Sequence, residues 1–254
     1  ACLPRSFPTF PLNVVPSESA IRFFHRLRPT AGLAGDFFDI RSISDSEAGL
    51  LICDVMGRGV RTSLVTAMLR GLVGELRDFA GLPGRFLQEL NGGLSRIFYE
   101  AESPMFVTAS YVVIDAVRGE LRYANAGHPS PLRVRRSSGV IDVLQSDGSR
   151  PDPALGFIQG FRYSATVRSF EPQDIVLQFT DGVFQAGASS RPPLTMDLLI
   201  EELRSRISLP TERLFEELFM EIRSHSGGPG FRDDICLIAA ELTRQLDRAE
   251  LGKE

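Results

Sequence analysis

The stretch that most constrains the fold is GLLICDVMGRGVRTSLVTAML, residues 49–69. Its apolar run before Asp54 predicts a buried strand, and the turn with two glycines that follows leads into a predicted helix. A carboxylate at the end of a core strand is costly to desolvate unless it has a partner. The sequence therefore predicts that a helix N-terminus or a cation stabilises Asp54.

The order of the predicted elements indicates the fold class. Periodicity predicts strands over 20–28, 36–43, 48–55, 105–116, 119–126, 138–144, 161–170, 174–181 and 233–242, and helices over 60–79, 83–98, 195–206 and 211–224. Strands and helices thus come in blocks, which argues against a doubly wound parallel sheet. Blocks of this size favour an α+β layered domain with antiparallel sheets.

Composition argues against several classes of protein. The net charge of −4 and the lack of a basic stripe disfavour nucleic-acid binding. No apolar run approaches the roughly 20 residues of a membrane-spanning helix. The three cysteines, Cys2, Cys53 and Cys236, lack metal-ligand spacing, so we interpret them as reduced thiols of a cytoplasmic protein.

The chain of 254 residues is long enough for one large domain with a sizeable core. We expect residues 20–242 to form that domain and residues 243–254 to form a charged C-terminal tail. The Pro-rich residues 1–19 are typical of a linker remnant. The domain is therefore expected to belong to a longer protein.

Acidic residues recur where predicted strands begin or end. They are Asp36, Asp39, Asp54, Asp181, Asp233 and Asp234. Any one of them alone is explained as a helix cap or a turn residue. If they converge, their like charges raise one another's pKa unless a cation neutralises them.

The available ligand atoms indicate which cation would bind. Only three histidines are present and the cysteines are badly spaced, which argues against zinc. An all-oxygen site suits Mg²⁺ or Mn²⁺. Two such ions would polarise a phosphoryl oxygen and lower the pKa of a bridging water. This chemistry predicts a hydrolase without a side-chain nucleophile.

Other catalytic signatures are missing from the sequence. It contains no phosphate-binding loop of the G-x-x-x-x-G-K-[ST] type, no complete dinucleotide fingerprint and no G-x-S-x-G nucleophile elbow. His128, in ANAGHPSP, is either a base or a structural histidine of a turn.

Six motifs in order resemble those of a known family. They are AGDFFD, CDVMGRGVRTSL, MFVTASYVVID, YANAGHPSPL, FTDGVFQA and RDDICLIAAEL, within about residues 3–242. On these motifs the chain resembles the SpoIIE-type serine phosphatases, a bacterial branch of the metal-dependent protein phosphatases (the PPM, or phosphatase 2C-like, family). The resemblance implies a four-layer αββα sandwich, in which two antiparallel sheets are flanked by helix pairs. It also implies hydrolysis of phosphoserine or phosphothreonine on a protein, through two Mn²⁺ or Mg²⁺ ions and an activated water.

The resemblance also implies roles for the strand-end residues. Asp54 would bridge both metals, and the backbone carbonyl of Val55 would contact one of them. Asp181 and Asp233 would complete the first metal site, and Asp36 would bind the second metal directly or through water.

Two further aspartates are alternatives where a motif allows two registers. Asp234 is the alternative within the aspartate doublet, and Asp39 is the alternative within DFFD. Arg58 stands where the family often has His or Lys, and it either contacts the substrate phosphate or is solvated. The other departures, Ala34 for Gly, Gln185 for Glu and Cys236 for Thr, remove no predicted ligand.

The partners expected from the resemblance are proteins. The substrate would be a phosphorylated anti-sigma-factor antagonist or a similar signalling protein. An upstream sensor or receiver domain would regulate the activity, with residues 60–79 part of the element that moves. A monomer and a homodimer are both compatible with the sequence.

Three rival interpretations stay open at this point. The first is a catalytically silent regulatory domain of the same fold that binds a partner protein. The second is a metal-dependent phosphodiesterase or nuclease, which the acidic charge disfavours. The third is a globular domain whose aspartates are only caps and turn residues.

Overall fold

The computed structural model describes residues 20–30, 35–57, 59–100, 105–146, 151–185, 193–225 and 233–247. The strands are β1 (Ile21–Arg28), β2 (Asp36–Ser42), β3 (Glu47–Val55), β4 (Val107–Asp115), β5 (Glu120–Ala126), β6 (Leu132–Arg135), β7 (Val140–Val143), β8 (Thr166–Ser169), β9 (Ile175–Phe179) and β10 (Ile235–Leu242). The helices are α1 (Val60–Glu75), α2 (Pro83–Glu100), α3 (Gly182–Gln185), α4 (Met196–Ser205) and α5 (Thr211–His225), and a 3₁₀ turn spans Arg77–Phe79.

The strands form two five-stranded sheets. The first sheet has the order β1-β10-β9-β6-β7, and the second has the order β2-β3-β4-β5-β8. Neighbouring strands run antiparallel throughout both sheets. The predicted α+β class with antiparallel sheets is therefore confirmed.

The alternation of side chains along β3 explains how the layers pack. Leu50 and Ile52 point between the sheets, where they pack in one core cluster with Ile238 of β10. Leu51 and Cys53 point to the opposite face and join a second cluster beneath α1 and α2. Because successive strand residues point to opposite faces, an apolar run of this kind is buried on both sides.

Helix pairs cover the outer faces of the two sheets. Leu69 of α1 and Leu90 of α2 pack with Tyr111 on the outer face of the second sheet. Leu218 of α5 packs with Leu237 on the outer face of the first sheet, where α4 also contributes. The layers are therefore helix, sheet, sheet, helix, which confirms the predicted αββα sandwich.

Several elements differ from the sequence prediction in extent. The predicted helix over 60–79 ends at Glu75 and continues as the 3₁₀ turn. The predicted strand over 161–170 is reduced to β8 (Thr166–Ser169), and α3 was not predicted.

Strand β6 was also missed by the sequence analysis. Its residues, LRVR, alternate apolar and polar side chains, but the strand is only 4 residues long, and Arg133 is buried although it is charged. The guanidinium of Arg133 forms an ion pair with Asp142 at 2.7 Å and donates to the Ser169 carbonyl at 2.6 Å. Burial of the arginine thus depends on partners that are distant in sequence.

Other predictions can be checked only in part. Cys53 and Cys236 are free and buried, as predicted, whereas Cys2 lies outside the described residues. Residues 1–19 also lie outside them, and the described part of the predicted tail, 243–247, forms no helix or strand. Among the described helices, none has the length and apolar character needed to cross a membrane.

Candidate metal centre

Two of the predicted ligands lie directly opposite each other on neighbouring strands. Asp36 begins β2, Asp54 lies near the end of β3, and the two residues are partners in the antiparallel register. Residues paired in this way project from the same face of a sheet. Asp54 is two residues from Ile52, so this face points between the two sheets. Asp36 is buried there and Asp54 is half-buried.

The first sheet brings further carboxylates to the same end of the sandwich. Its strands β9 and β10 run antiparallel, so the end of one lies beside the start of the other. The backbone N–H of Thr180 donates to the Cys236 carbonyl at 3.0 Å and extends this pairing. Asp181 therefore follows β9 where Asp233 and Asp234 precede β10.

The carboxylates influence one another's ionisation. Burial raises the pKa of Asp54 to about 6, and the charges of Asp181, Asp233 and Asp234 contribute to the rise. Burial also raises the pKa of Asp36 well above its ordinary value, with the neighbouring Asp54 as the next cause. The strand ends from both sheets thus concentrate negative charge, and a bound cation would relieve the repulsion.

A threonine joins the two sheets at this position. The Thr180 hydroxyl donates to Oδ2 of Asp36 at 2.7 Å and accepts from the backbone N–H of Cys236 at 3.0 Å. The hydrogen bond from the Thr180 hydroxyl lowers the pKa of Asp36 and partly opposes the effect of burial. It holds one oxygen of Asp36 in a fixed direction.

The aspartate doublet at the start of β10 has two different environments. Oδ1 of Asp234 accepts from the backbone N–H of Thr30 at 2.7 Å and from its hydroxyl at 2.6 Å. Oδ2 of Asp234 accepts from the backbone N–H of Gly35 at 2.8 Å. Both oxygens of Asp234 are therefore engaged by the segment before β2. Oδ1 of Asp233 accepts from the backbone N–H of Asp234 at 3.0 Å.

Asp39, the alternative within DFFD, lies on a different face. It is three residues from Asp36 on the same strand, and an odd separation places two residues on opposite faces of a sheet. Its Oδ2 accepts from Nε of Arg41 at 2.6 Å and forms an ion pair with the same guanidinium. The structure therefore does not bring Asp39 to the cluster between the sheets.

Two glycines permit close backbone packing around the cluster. A Cβ on Gly182 would lie 1.9 Å from the carbonyl oxygen of Asp234, a distance that no real side chain tolerates. A Cβ on Gly35 would lie 3.0 Å from Cγ2 of Thr62 and 3.3 Å from the Val55 carbonyl oxygen. The glycines of TDG and AGD thus allow the acidic segments to approach one another.

The donor atoms suit a hard divalent cation. The predicted donor groups are carboxylates and a backbone carbonyl, which are the ligands that Mg²⁺ and Mn²⁺ prefer. In the part of the chain that the structure describes, no group of three or more His, Cys, Asp or Glu side chains is arranged so that it could hold a metal ion. The chemistry of the donor set fits these ions, and the strand ends of both sheets place the carboxylates at one end of the sandwich.

Comparison with known proteins identifies the family. Residues 44–243 match the family described as Stage II sporulation protein E (SpoIIE). The chain belongs to the SpoIIE family. This SpoIIE-family domain is 28% identical over 211 residues to the phosphoserine phosphatase RsbP of Bacillus subtilis (strain 168), covering 83% of this chain and 49% of RsbP. The domain thus spans about half the length of that relative.

Solved structures share the fold of this SpoIIE-family domain. The SiaA-PP2C domain of Pseudomonas aeruginosa superposes with a TM-score of 0.75 at 20% identity, covering 86% of this chain and 85% of that chain. The catalytic domain of the serine threonine protein phosphatase PstP, in complex with 2 manganese ions, has a TM-score of 0.62 at 16% identity, covering 87% and 97% of the two chains.

Sequence analysis of the SpoIIE-family domain missed the polar residues that support the acidic ones. Thr180 was not singled out, although its position directly before Asp181 in FTDG was a visible signal. Its contact with Asp36 joins residues 144 positions apart, which no local pattern reveals. Arg58, the predicted phosphate contact, lies outside the described residues.

Proposed function

We propose that this SpoIIE-family domain is a metal-dependent protein phosphatase that hydrolyses phosphoserine or phosphothreonine on a regulatory protein. The observation that carries the proposal is the direct pairing of Asp36 with Asp54 at the ends of β2 and β3. Asp181 approaches the same position from the other sheet and raises the pKa of both residues. The name of RsbP, phosphoserine phosphatase, supports the reaction class.

The residues proposed to hold two Mn²⁺ or Mg²⁺ ions are Asp36, Asp54, the Val55 carbonyl, Asp181 and Asp233. When bound, such ions polarise a phosphoryl group and lower the pKa of water. The manganese complex of PstP, which has the same fold, supports the choice of ion.

Asp234 and Asp39 are less suitable ligands. The carboxylate of Asp234 accepts three hydrogen bonds from Thr30 and Gly35, so it holds the segment before β2 in place. Asp39 is neutralised by Arg41 on the opposite face of the sheet. These contacts support Asp233 rather than Asp234, and Asp36 rather than Asp39, as the ligands.

The protein's own groups would orient the ligands and exclude bulk water. The Thr180 hydroxyl fixes one oxygen of Asp36, and the burial of Asp36 limits solvent on that side. Arg58 is proposed to bind the substrate phosphate, because a guanidinium can donate two parallel hydrogen bonds to it.

The proposed substrate is a phosphorylated anti-sigma-factor antagonist or a similar signalling protein. We also propose an upstream sensor or receiver domain, since the domain spans only 49% of RsbP. A phosphoprotein with its phosphate in an exposed segment suits a centre at the rim of the sandwich, where Asp181 is exposed.

The test is hydrolysis of p-nitrophenyl phosphate and a phosphoserine peptide with Mn²⁺, Mg²⁺ or EDTA. We expect turnover that needs the metal and falls by roughly a thousandfold in Asp54→Asn and in Asp181→Asn, since several kcal/mol of charge stabilisation is lost. Asp39→Asn is the matched control, because it removes a carboxylate from the other face of β2, and we expect it to retain turnover within twofold.

Two results would contradict the proposal. Turnover that persists in EDTA would exclude a metal-dependent reaction. Absence of both turnover and manganese binding would instead favour the catalytically silent regulatory domain.

A further inference from the structure

Gly35 lies where three of the acidic segments meet. Its backbone N–H donates to Oδ2 of Asp234 at 2.8 Å, just before the start of β10. Its carbonyl oxygen accepts a long hydrogen bond, 3.4 Å, from the backbone N–H of Val55 at the end of β3. The next residue along the chain is Asp36, which begins β2. One glycine therefore connects the starts of β2 and β10 with the end of β3.

The carboxylate of Asp234 uses its two oxygens for two different partners. Oδ1 accepts from the backbone N–H of Thr30 at 2.7 Å and from its hydroxyl at 2.6 Å, whereas Oδ2 accepts from Gly35. Thr30 follows β1, which pairs with β10 along its whole length, so the first sheet holds Thr30 beside the start of β10. Hydrogen bonds to an ionised carboxylate are among the stronger ones in proteins. Asp234 therefore ties Gly35 firmly to the first sheet.

The position of Asp36 depends on contacts with the first sheet. Strand β2 is the first strand of the second sheet, so within the described structure it has one neighbouring strand, β3. Pairing with β3 places Asp36 opposite Asp54 but leaves the other side of β2 without a strand. The first sheet supplies the remaining contacts, because Thr180 donates to the Asp36 side chain and Asp234 holds the preceding residue. Removal of either contact leaves Asp36 less firmly placed.

We propose that Asp234 is a positioning residue for Asp36, and hence for the second of the two metal ions. Both oxygens of Asp234 are engaged by N–H and O–H donors, so it acts on the metal centre through the start of β2. Loss of these hydrogen bonds weakens binding of the second ion, while the first ion keeps Asp54, Asp181 and Asp233. The inference rests on the proposed function, since it assumes that these carboxylates bind metal.

Asp234 also acts through its charge, and this effect has to be separated from positioning. Burial raises the pKa of Asp36 and of Asp54, and the charge of Asp234 adds to the rise of both. Loss of a negative charge therefore weakens both ions together, whereas loss of positioning concerns the ion that Asp36 holds. Thr30 separates the two effects, because Thr30→Val removes one hydrogen bond to Asp234 and changes no charge.

The experiment is calorimetric titration of Mn²⁺ into the protein, with electron paramagnetic resonance to distinguish a coupled pair of Mn²⁺ ions from a single ion. An amide presents one oxygen and one NH₂ group, so Asp234→Asn cannot accept from Thr30 and Gly35 at once. We expect this variant to raise the dissociation constant of the second ion by roughly 10- to 100-fold and that of the first by less than about threefold. Thr30→Val should weaken the second ion by a smaller factor, and Thr30→Ser should bind both ions like the wild type.

Asp115 provides a matched control at the opposite end of the second sheet. Its Oδ1 accepts from the backbone N–H groups of Val117 and Arg118 at 3.0 and 2.9 Å. It ends β4, whose first residue pairs with Val55. Asp115→Asn thus also replaces a carboxylate that binds backbone N–H groups, but far from the predicted ligands. We expect it to leave the binding of both ions unchanged.

The outcomes separate the inference from the proposed function. Equal weakening of both ions by Asp234→Asn, with Thr30→Val like the wild type, would overturn the positioning role and leave only a charge effect. Loss of the first ion in Asp234→Asn would make Asp234 a ligand, and two unaffected ions in both variants would also overturn the positioning role while the metal centre stands. If the wild type binds no manganese, the proposed function falls and the inference falls with it. Thr30→Val leaves Asp234 in place, so it decides the question even if Asp234→Asn fails to fold.

Discussion

The two ends of the space between the sheets have opposite chemistry although the same strands build both. At one end, β2 and β3 present Asp36 and Asp54, and Thr180 reaches in from the other sheet. Toward the other end, Leu50 lies four residues before Asp54 on β3. It is fully buried in the apolar cluster that includes Val112. Four strand residues span only about 13 Å. The character of the layer therefore changes over a short distance.

This difference indicates that the apolar end stabilises the fold and that the acidic end is the candidate functional site. Burial of a side chain such as Leu50 contributes about 1.5–3 kcal/mol. Asp54, whose pKa is raised to about 6 by burial and its acidic neighbours, costs free energy when it is ionised at neutral pH. A buried carboxylate that destabilises the fold and lies among other carboxylates is typical of a functional site.

Leu50→Ala should have the largest effect on stability among the changes considered. We expect a loss of about 2–5 kcal/mol in the free energy of unfolding, because the substitution removes buried methyl groups and leaves a cavity. The manganese dissociation constant should stay within twofold, which urea denaturation and calorimetry would measure. A tenfold loss of manganese affinity in a folded Leu50→Ala variant would show that the apolar end also contributes to manganese binding, contrary to the prediction.

The second prediction concerns the pH dependence of stability through His128. Burial lowers the pKa of this histidine to about 3 in the folded state, against 6.5 ordinarily. The unfolded chain therefore binds a proton that the folded chain does not between these values. The contribution is fully present above pH 6.5 and is lost as the pH falls toward 3, by up to about 1.4 kcal/mol per pH unit.

Urea denaturation of the wild type and His128→Asn in EDTA, from pH 7.5 down to pH 5, would measure this contribution. The wild type should lose its advantage over the variant as the pH falls below 6.5. Parallel stability profiles would show that the histidine has the same pKa in the folded and the unfolded protein, as an exposed histidine would.

Asp39→Asn should have the smallest effect. Asp39 pairs with Arg41 at a partly exposed position on the face opposite the cluster, and ion pairs of this kind contribute about 0–1 kcal/mol. We expect a change in unfolding free energy below about 1 kcal/mol and an unchanged manganese affinity, measured by urea denaturation and calorimetry. Loss of manganese binding would place Asp39 among the ligands and make the face assignment wrong.

Much of the fold could be predicted because its strongest patterns are local. The apolar run before Asp54 lies within residues 49–69, so β3 was predicted close to its observed bounds, and α1 was predicted from its first residue but beyond its observed end at Glu75. Strand β6 was missed because it is only 4 residues long, and the partners that allow Arg133 to be buried, Asp142 and Ser169, come later in the chain.

The site could be predicted in composition but not in detail. Consecutive residues such as Asp233 and Asp234 have the same local signal, and the contacts of Asp234 with Thr30 and Gly35 distinguish them. The contact of His128 with Thr108 joins positions 20 residues apart, and no local sequence pattern predicts it. Contacts between distant segments decide which acidic residues converge, and they follow from the packing of the whole sandwich.

The most direct test of a metal site at Asp54 compares the unfolding free energy of the wild type with that of Asp54→Asn, each measured in EDTA and in excess Mn²⁺ at neutral pH. In EDTA the variant should be more stable, because its amide removes a charge from the acidic end. In Mn²⁺ the order should invert, since only the wild type gains stability from binding, by about 2.7 kcal/mol at a metal concentration a hundredfold above the dissociation constant. The same order of stability under both conditions would contradict a metal site at Asp54.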